Sequence, residues 1–122
     1  MRIFKNTWFT RFAGKEGITD AELKEDVNRL EAGQAEADLG GGVYKLRVAR
    51  YGEGKAGGYR VIVFFRSKER TFYVYGFSKS DMGNITEKQL RNFKRTAKVI
   101  LTLTDNQLDD LLKKGEYLEI RG

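Results

Sequence analysis

Lys45 and Arg47 stand two residues apart in the alternating run Val43 to Arg50. On a β-strand both would project from one face at roughly 7 Å spacing. Arg60 lies at the start of a second run, Tyr59 to Arg66, that is otherwise nearly all apolar. A charge entering such a strand costs several kcal/mol unless it is paired or faces an opening, so Arg60 is expected to point into a cleft. Lys79 follows a third run, Arg70 to Phe77. If the second and third runs pair through Ser67-Lys68-Glu69, Arg60 and Lys79 fall near the same end of a hairpin and three or four cations converge. Such a cluster attracts a phosphate. The chain has neither histidine nor cysteine, which removes the usual general base near neutral pH and any thiolate nucleophile or metal site. The route left on RNA is attack by the ribose 2′-hydroxyl, with Lys or Tyr handling a proton and Arg stabilising charge on the phosphoryl oxygens. DNA is inert to that route. A phosphate-binding groove without turnover fits the same residues, as does a plain solvated face for Lys45 and Arg47.

The charge distribution points to the same region. Val43 to Lys79 holds nine Lys/Arg against Glu53 and Glu69, a local charge of +7 in a chain of 122 residues whose total is +6. The same stretch carries nine of the fifteen aromatic residues. A basic, aromatic surface on a sheet would suit a polyanion lying across it, with nucleic acid the first partner to consider. The length fits one domain over 1–122. No apolar run approaches the length of a membrane span, and the absence of cysteine suits a reducing cytoplasm.

The elements that must position these residues are legible in outline. Asn6 to Ala13 is expected to form a short helix. Thr19 and Glu22 open a second, with Leu23, Val27 and Leu30 on one face and Gly33 ending it. Three strands follow, and then a third helix from about Thr86, capped with Gln89, with Leu90, Phe93, Ala97, Ile100 and Leu101 as its buried stripe. A fourth runs from Thr104, capped with Gln107, to Gly115, and Tyr117 to Ile120 adds a short strand. The order implies α+β: a small antiparallel β-sheet with two N-terminal helices and C-terminal helices packed on it.

Other patterns are weaker. Tyr51 to Gly58 has four glycines and Lys55 but does not match a nucleotide P-loop, because Ala56 follows the lysine and no helix opens there. It is expected to be a mobile loop able to close over a backbone with Lys55. Asp105, Asp109 and Asp110 read as a solvated face rather than a cation site. Lys88, Arg91, Lys94, Arg95 and Lys98 give the third helix a basic outer face.

The order of Trp8-Phe9-x-Arg11-Phe12, Ala37 to Lys45 (A-D-L-G-G-G-V-x-K), Tyr44-Lys45-Leu46-Arg47-Val48, Gly57-Gly58-Tyr59-Arg60, Phe72 to Lys79 (F-Y-V-Y-G-F-S-K) and Gly115-Glu116-x-x-Glu119 resembles the RelE/ParE superfamily of toxins from bacterial toxin-antitoxin modules, and most closely its single-domain RelE-like subfamily. The resemblance covers nearly the whole chain. It implies a ribosome-dependent endoribonuclease that needs no metal or other cofactor, cuts mRNA in the decoding site, and is held inactive by an antitoxin encoded beside it, such as a small helix-turn-helix protein. By that resemblance Lys45, Arg47, Arg60 and Lys79 are the catalytic candidates. Arg47 and Arg60 would hold the phosphate, Lys45 and Lys79 would add charge and proton transfer, and Tyr44, Arg50, Lys55 and Arg66 would guide RNA. The sequence departs from the family pattern at Ser80 and Thr86, where well-studied members have an arginine and a tyrosine. Proton transfer would then fall to Lys45 and Lys79, or to Tyr44 or Tyr75. A non-catalytic module that binds RNA or antitoxin, and a DNA gyrase inhibitor of the ParE type, are the competing expectations. The cation cluster argues against the second, since a gyrase inhibitor needs no convergent phosphate site.

Overall fold

A computed structural model describes residues 1–50, 54–80 and 83–121, with the backbone alone at 50 and 54–57. The chain runs β1 (Arg2–Asn6), α1 (Thr7–Glu16), α2 (Asp20–Glu31), β2 (Ala37–Gly40), β3 (Val43–Arg50), β4 (Gly54–Arg66), β5 (Arg70–Ser78), α3 (Glu87–Ile100), α4 (Asp105–Lys113) and β6 (Tyr117–Ile120). The α+β expectation holds. The helices form where the caps placed them: Thr19, Thr86 and Thr104 each accept a bond from the backbone N–H three residues on, and Asn6 does the same for α1.

The six strands are ordered β2-β3-β4-β5-β1-β6. All pairs are antiparallel except β1 with β5, which run parallel from Arg2 opposite Arg70 to Lys5 opposite Tyr73. The sheet is therefore mixed rather than purely antiparallel. The parallel strand escaped the sequence reading because it is five residues long and buries Ile3 toward one face and Phe4 toward the other, which leaves no period to detect.

Both faces of the sheet are covered. On one, Leu46, Val48, Val61, Val63 and Tyr73 meet Phe9 and Ala13 of α1 and Leu23, Val27 and Leu30 of α2. On the other, Val43, Ile62, Phe64 and Phe72 meet Ala97, Ile100 and Leu101 of α3 and Leu108 of α4. This corrects the picture of an open aromatic platform: Tyr59, Phe64, Phe72, Tyr73 and Phe77 are core residues. Their burial stabilises the fold at roughly 1.5–3 kcal/mol for each large side chain. The glycine-rich stretch also differs from expectation, since β4 begins at Gly54 and pairs with Arg50 there. The side chain of Lys55 lies outside the described residues.

One glycine is required by packing. A Cβ on Gly76 of β5 would overlap the ring of Phe12, and moving that ring would disturb its stack on Trp8 at 5.3 Å and its edge-on contact with Tyr59 at 5.5 Å. We expect Gly76→Ala to destabilise the protein by about 1–3 kcal/mol, read as a fall of several degrees in Tm by thermal unfolding. An unchanged Tm would show that α1 can shift on the sheet.

Candidate functional site

The register of β3 on β4 sets Lys45 opposite Ile62 and Arg47 opposite Arg60. Directly opposed residues share a face. Lys45, Arg47 and Arg60 therefore lie on the face that carries Val43, Ile62 and Phe64, toward the end of the sheet where the segment leading into α3 touches Lys45. The hydrophobic contacts of α3 run from Tyr75, which meets Phe93, to Phe64 and Leu101.

A carboxylate stands at the centre of these cations. Glu36 immediately precedes β2, and its N–H donates to the Lys45 carbonyl at 2.8 Å, which turns its side chain into the cluster. Arg47 Nε donates to Glu36 Oε1 at 2.9 Å and Arg60 Nε donates to the same oxygen at 3.1 Å. Glu36 Oε2 is 2.9 Å from Arg60 Nε, but as an ion-pair contact not aligned for a hydrogen bond, and 3.8 Å from Lys45 Nζ. Burial alone would raise the Glu36 carboxyl. The hydrogen bonds from Arg47 and Arg60 and the charges of Arg60 and Lys45 outweigh it, and the group titrates below its ordinary value. Two guanidiniums are thus held through Nε; Arg47 is half exposed, so its terminal nitrogens face solvent, while Arg60 Nη1 is buried.

Arg60 is 3% exposed and its Nη1 has no hydrogen-bond partner among the described residues. An unsatisfied buried donor on a charged group costs more than the roughly 1–3 kcal/mol typical of a neutral one. Arg47 is half exposed beside it. A recess of about 290 Å³ adjoins Arg47 and Glu36, lined also by Arg29, Gln34 and Ala35. Arg29 of α2 donates to the Arg47 carbonyl at 2.8 Å and so pins β3 beyond the stretch that β2 covers. Lys45 Nζ also reaches Asn84 Oδ1 at 3.4 Å, from the segment leading into α3.

A family model described as RelE toxin of RelE / RelB toxin-antitoxin system matches residues 1–120. The chain belongs to the RelE toxin family. It is accordingly a toxin of a toxin-antitoxin system, in a family whose partner is a RelB-type antitoxin. Among the described residues no helix is long and apolar enough to cross a membrane.

Within this RelE-family chain, the expected site residues divide. Lys45, Arg47 and Arg60 come together around Glu36. Lys79 lies at the same end of the hairpin, two residues past Phe77, which pairs with Arg60, but it is exposed in a turn and stands apart from the carboxylate that gathers the other three. Tyr44 is on the opposite face, edge-on to Phe65, with burial raising its hydroxyl; it cannot reach the cluster. Tyr75 packs against Trp8 and Phe93. Arg66 sits at the far end of the sheet, where it pairs with Glu69 at 2.7 Å and donates to the Leu101 carbonyl at 3.1 Å. There it closes the end of α3, as buried Arg70 does through the Ile100 and Leu103 carbonyls. The side chain of Arg50, like that of Lys55, is outside the described residues.

The two departures from the family pattern have local uses. Thr86 caps α3, and Ser80 shares a 2.6 Å hydrogen bond with Ser78. The aspartates of α4 are also engaged: Asp105 and Asp109 bind Arg2, and Asp105 reaches Arg70. No group of three or more possible metal ligands occurs among the described residues. The residue the sequence reading missed is Glu36. Nothing local marks it, because its role depends on the pairing of β2 with β3.

Proposed function

We propose that this chain is a ribosome-dependent, metal-independent mRNA endoribonuclease that arrests translation. The observation that carries the reading is buried Arg60, with an unpartnered Nη1, beside half-exposed Arg47 and near Lys45. A phosphate oxygen binding first at half-exposed Arg47 and displacing the side chains over Arg60 Nη1 would satisfy that donor, and the pair of guanidiniums suits the planar, bidentate recognition that phosphates favour. In the reaction, the 2′-hydroxyl proton passes to solvent water as the 2′-oxygen attacks the adjacent phosphorus, and the bond from phosphorus to the 5′-oxygen breaks. Negative charge grows on the non-bridging oxygens next to Arg47 and Arg60, which stabilise it. Lys45, with Lys79 at the same sheet end, is the source of a proton for the departing 5′-oxygen. The products are a 2′,3′-cyclic phosphate and a 5′-hydroxyl.

The test is mapping of mRNA 5′ ends by primer extension after brief induction of wild type and Arg47→Ala. We expect discrete, translation-dependent cuts from wild type, reduced about 100-fold or more in the variant. Growth arrest without cuts would overturn the reading. Glu36 gives a second reading some support, namely binding of RNA or antitoxin without turnover, because a carboxylate inside the clamp repels a phosphate and Ser80 and Thr86 offer no replacement for the family's arginine and tyrosine. In that case wild type and Arg47→Ala differ in affinity but neither cuts.

A further inference from the structure

Some cations of this protein are held in ion pairs and others are not. Arg2, Lys5, Arg29, Arg66 and Arg70 each hold a carboxylate. Lys88, Arg91, Lys94, Arg95 and Lys98, all exposed on α3, hold none among the described residues. At spacings of three, four and seven they line the outer side of an amphipathic helix whose inner side is Leu90, Phe93, Ala97 and Ile100. Fourteen residues long, this helix spans about 21 Å. It starts beside Asn84, which touches Lys45 of the clamp, and ends at Leu101, against the turn between β2 and β3.

That turn is built of Gly40, Gly41 and Gly42, with φ of 89°, 63° and 83°, a left-handed path that other residues follow only at a cost. The Lys94 side chain lies along it: a Cβ on Gly40 would be 3.4 Å from Lys94 Nζ and one on Gly41 3.6 Å from Lys94 Cγ. Between turn and helix is a groove of about 560 Å³ lined by the apolar Phe65, Ala97 and Leu101 together with Arg66, Lys94 and Lys98. Along β3, the end of the strand next to this groove is four residues from Arg47, about 13 Å at strand rise, and on the same side of the sheet.

We propose that the outer face of α3 and the Gly40–Gly42 turn form a second RNA site, which binds the phosphate backbone of the strand flanking the phosphate held by Arg47 and Arg60. The inference rests on the nuclease reading for the location of that phosphate. The occupant is an RNA backbone because the five cations of α3 have no carboxylate partner among the described residues, lie beside bare glycine backbone and are continuous with the clamp. Such cations along a line bind phosphates by counterion release, which makes the signature a salt slope.

The experiment measures binding of a short 2′-O-methyl RNA oligonucleotide, which has no free 2′-hydroxyl and so resists cleavage, by fluorescence anisotropy across a salt series. Wild type is compared with Arg91→Gln/Lys94→Gln/Lys98→Gln and with Arg60→Ala. Glutamine keeps the helix, and a second triple, Lys88→Gln/Arg91→Gln/Arg95→Gln, tests the face independently of the turn. We expect each triple to weaken binding about tenfold or more at low salt and to reduce the log-log slope by about 2, at about 0.7 for each phosphate that the variant no longer neutralises. For a dinucleotide confined to the clamp, the triples should match wild type. Wild-type affinity and slope in both triples, with Arg60→Ala weakened, would overturn this site and leave the nuclease reading standing. Arg60→Ala equal to wild type would instead remove the clamp. If the triples lost only their affinity for the antitoxin, the face would be a protein interface and the proposal would fail.

Discussion

Arg60→Ala, assayed on mRNA in translating ribosomes under single-turnover conditions, is expected to lose about 100- to 1,000-fold in cleavage rate, the usual effect of deleting one donor to a transition-state anion. The guanidinium is 3% exposed, so substitution also removes a partner of Glu36 and leaves a cavity. A stability loss of a few kcal/mol accompanies the rate loss. Arg60→Lys separates the two effects. It keeps the charge near Glu36 but not the fork that spans Glu36 and phosphate together, so it should recover most of the stability and little of the rate. Thermal unfolding and cleavage rate, measured on both variants, decide the matter. A folded Arg60→Ala that cleaves at the wild-type rate would take Arg60 out of the site.

Glu36→Gln has the second largest expected effect, and its sign differs between binding and chemistry. Glu36 accepts from Nε of both Arg47 and Arg60, so it orients the two guanidiniums while adding a negative charge where a phosphate must come. Glutamine removes the charge and can no longer accept both bonds with the same strength. We expect RNA to bind several-fold more tightly and to be cut about 10- to 100-fold more slowly, since misaligned donors stabilise the transition state less. Tighter binding with unchanged cutting would mean that Glu36 only occludes the clamp.

The same variant has a pH signature. The Glu36 carboxyl titrates below its ordinary value in the folded protein. A depressed carboxylate contributes stability that is present above the unfolded-state value and lost as pH falls through the folded-state value. At neutral pH, wild type should therefore exceed Glu36→Gln in stability by about 1–3 kcal/mol. Below the carboxylate range the two unfolding curves should converge. Parallel curves throughout would show that the ion pairs of Glu36 add nothing net.

The parts of the fold that the sequence disclosed are those governed by contacts three or four residues apart. Thr86 with Gln89 and Thr104 with Gln107 form capping boxes in the structure as their spacing predicts, and the stripes of α2, α3 and α4 face the core as read. Strand β1 was invisible because a doubly buried five-residue strand has no alternation. The concentration of aromatics was legible, but its meaning was not. It suggested an exposed platform, whereas five of those rings are core, since a sheet covered on both sides needs large apolar side chains on both.

For the site, the sequence by itself determined the chemistry on offer: Lys45 and Arg47 sharing one face, an arginine within an apolar strand, and no histidine or cysteine to alter the repertoire. That much follows from residue types and the period of a single strand. Tertiary structure alone decided which cations meet. Arg47 lies opposite Arg60 because of the β3–β4 register, and Glu36 enters between them because β2 pairs with β3 from Ala37 opposite Lys45. Arg66 is drawn to the end of α3, while Tyr44 is turned to the far face. Register is fixed by backbone hydrogen bonds between residues distant in the chain and by bulges such as those at Val48/Arg50 and Ile62/Val63. A shift of one residue in pairing exchanges the faces, so no local pattern could have told Glu36 from the other acidic residues.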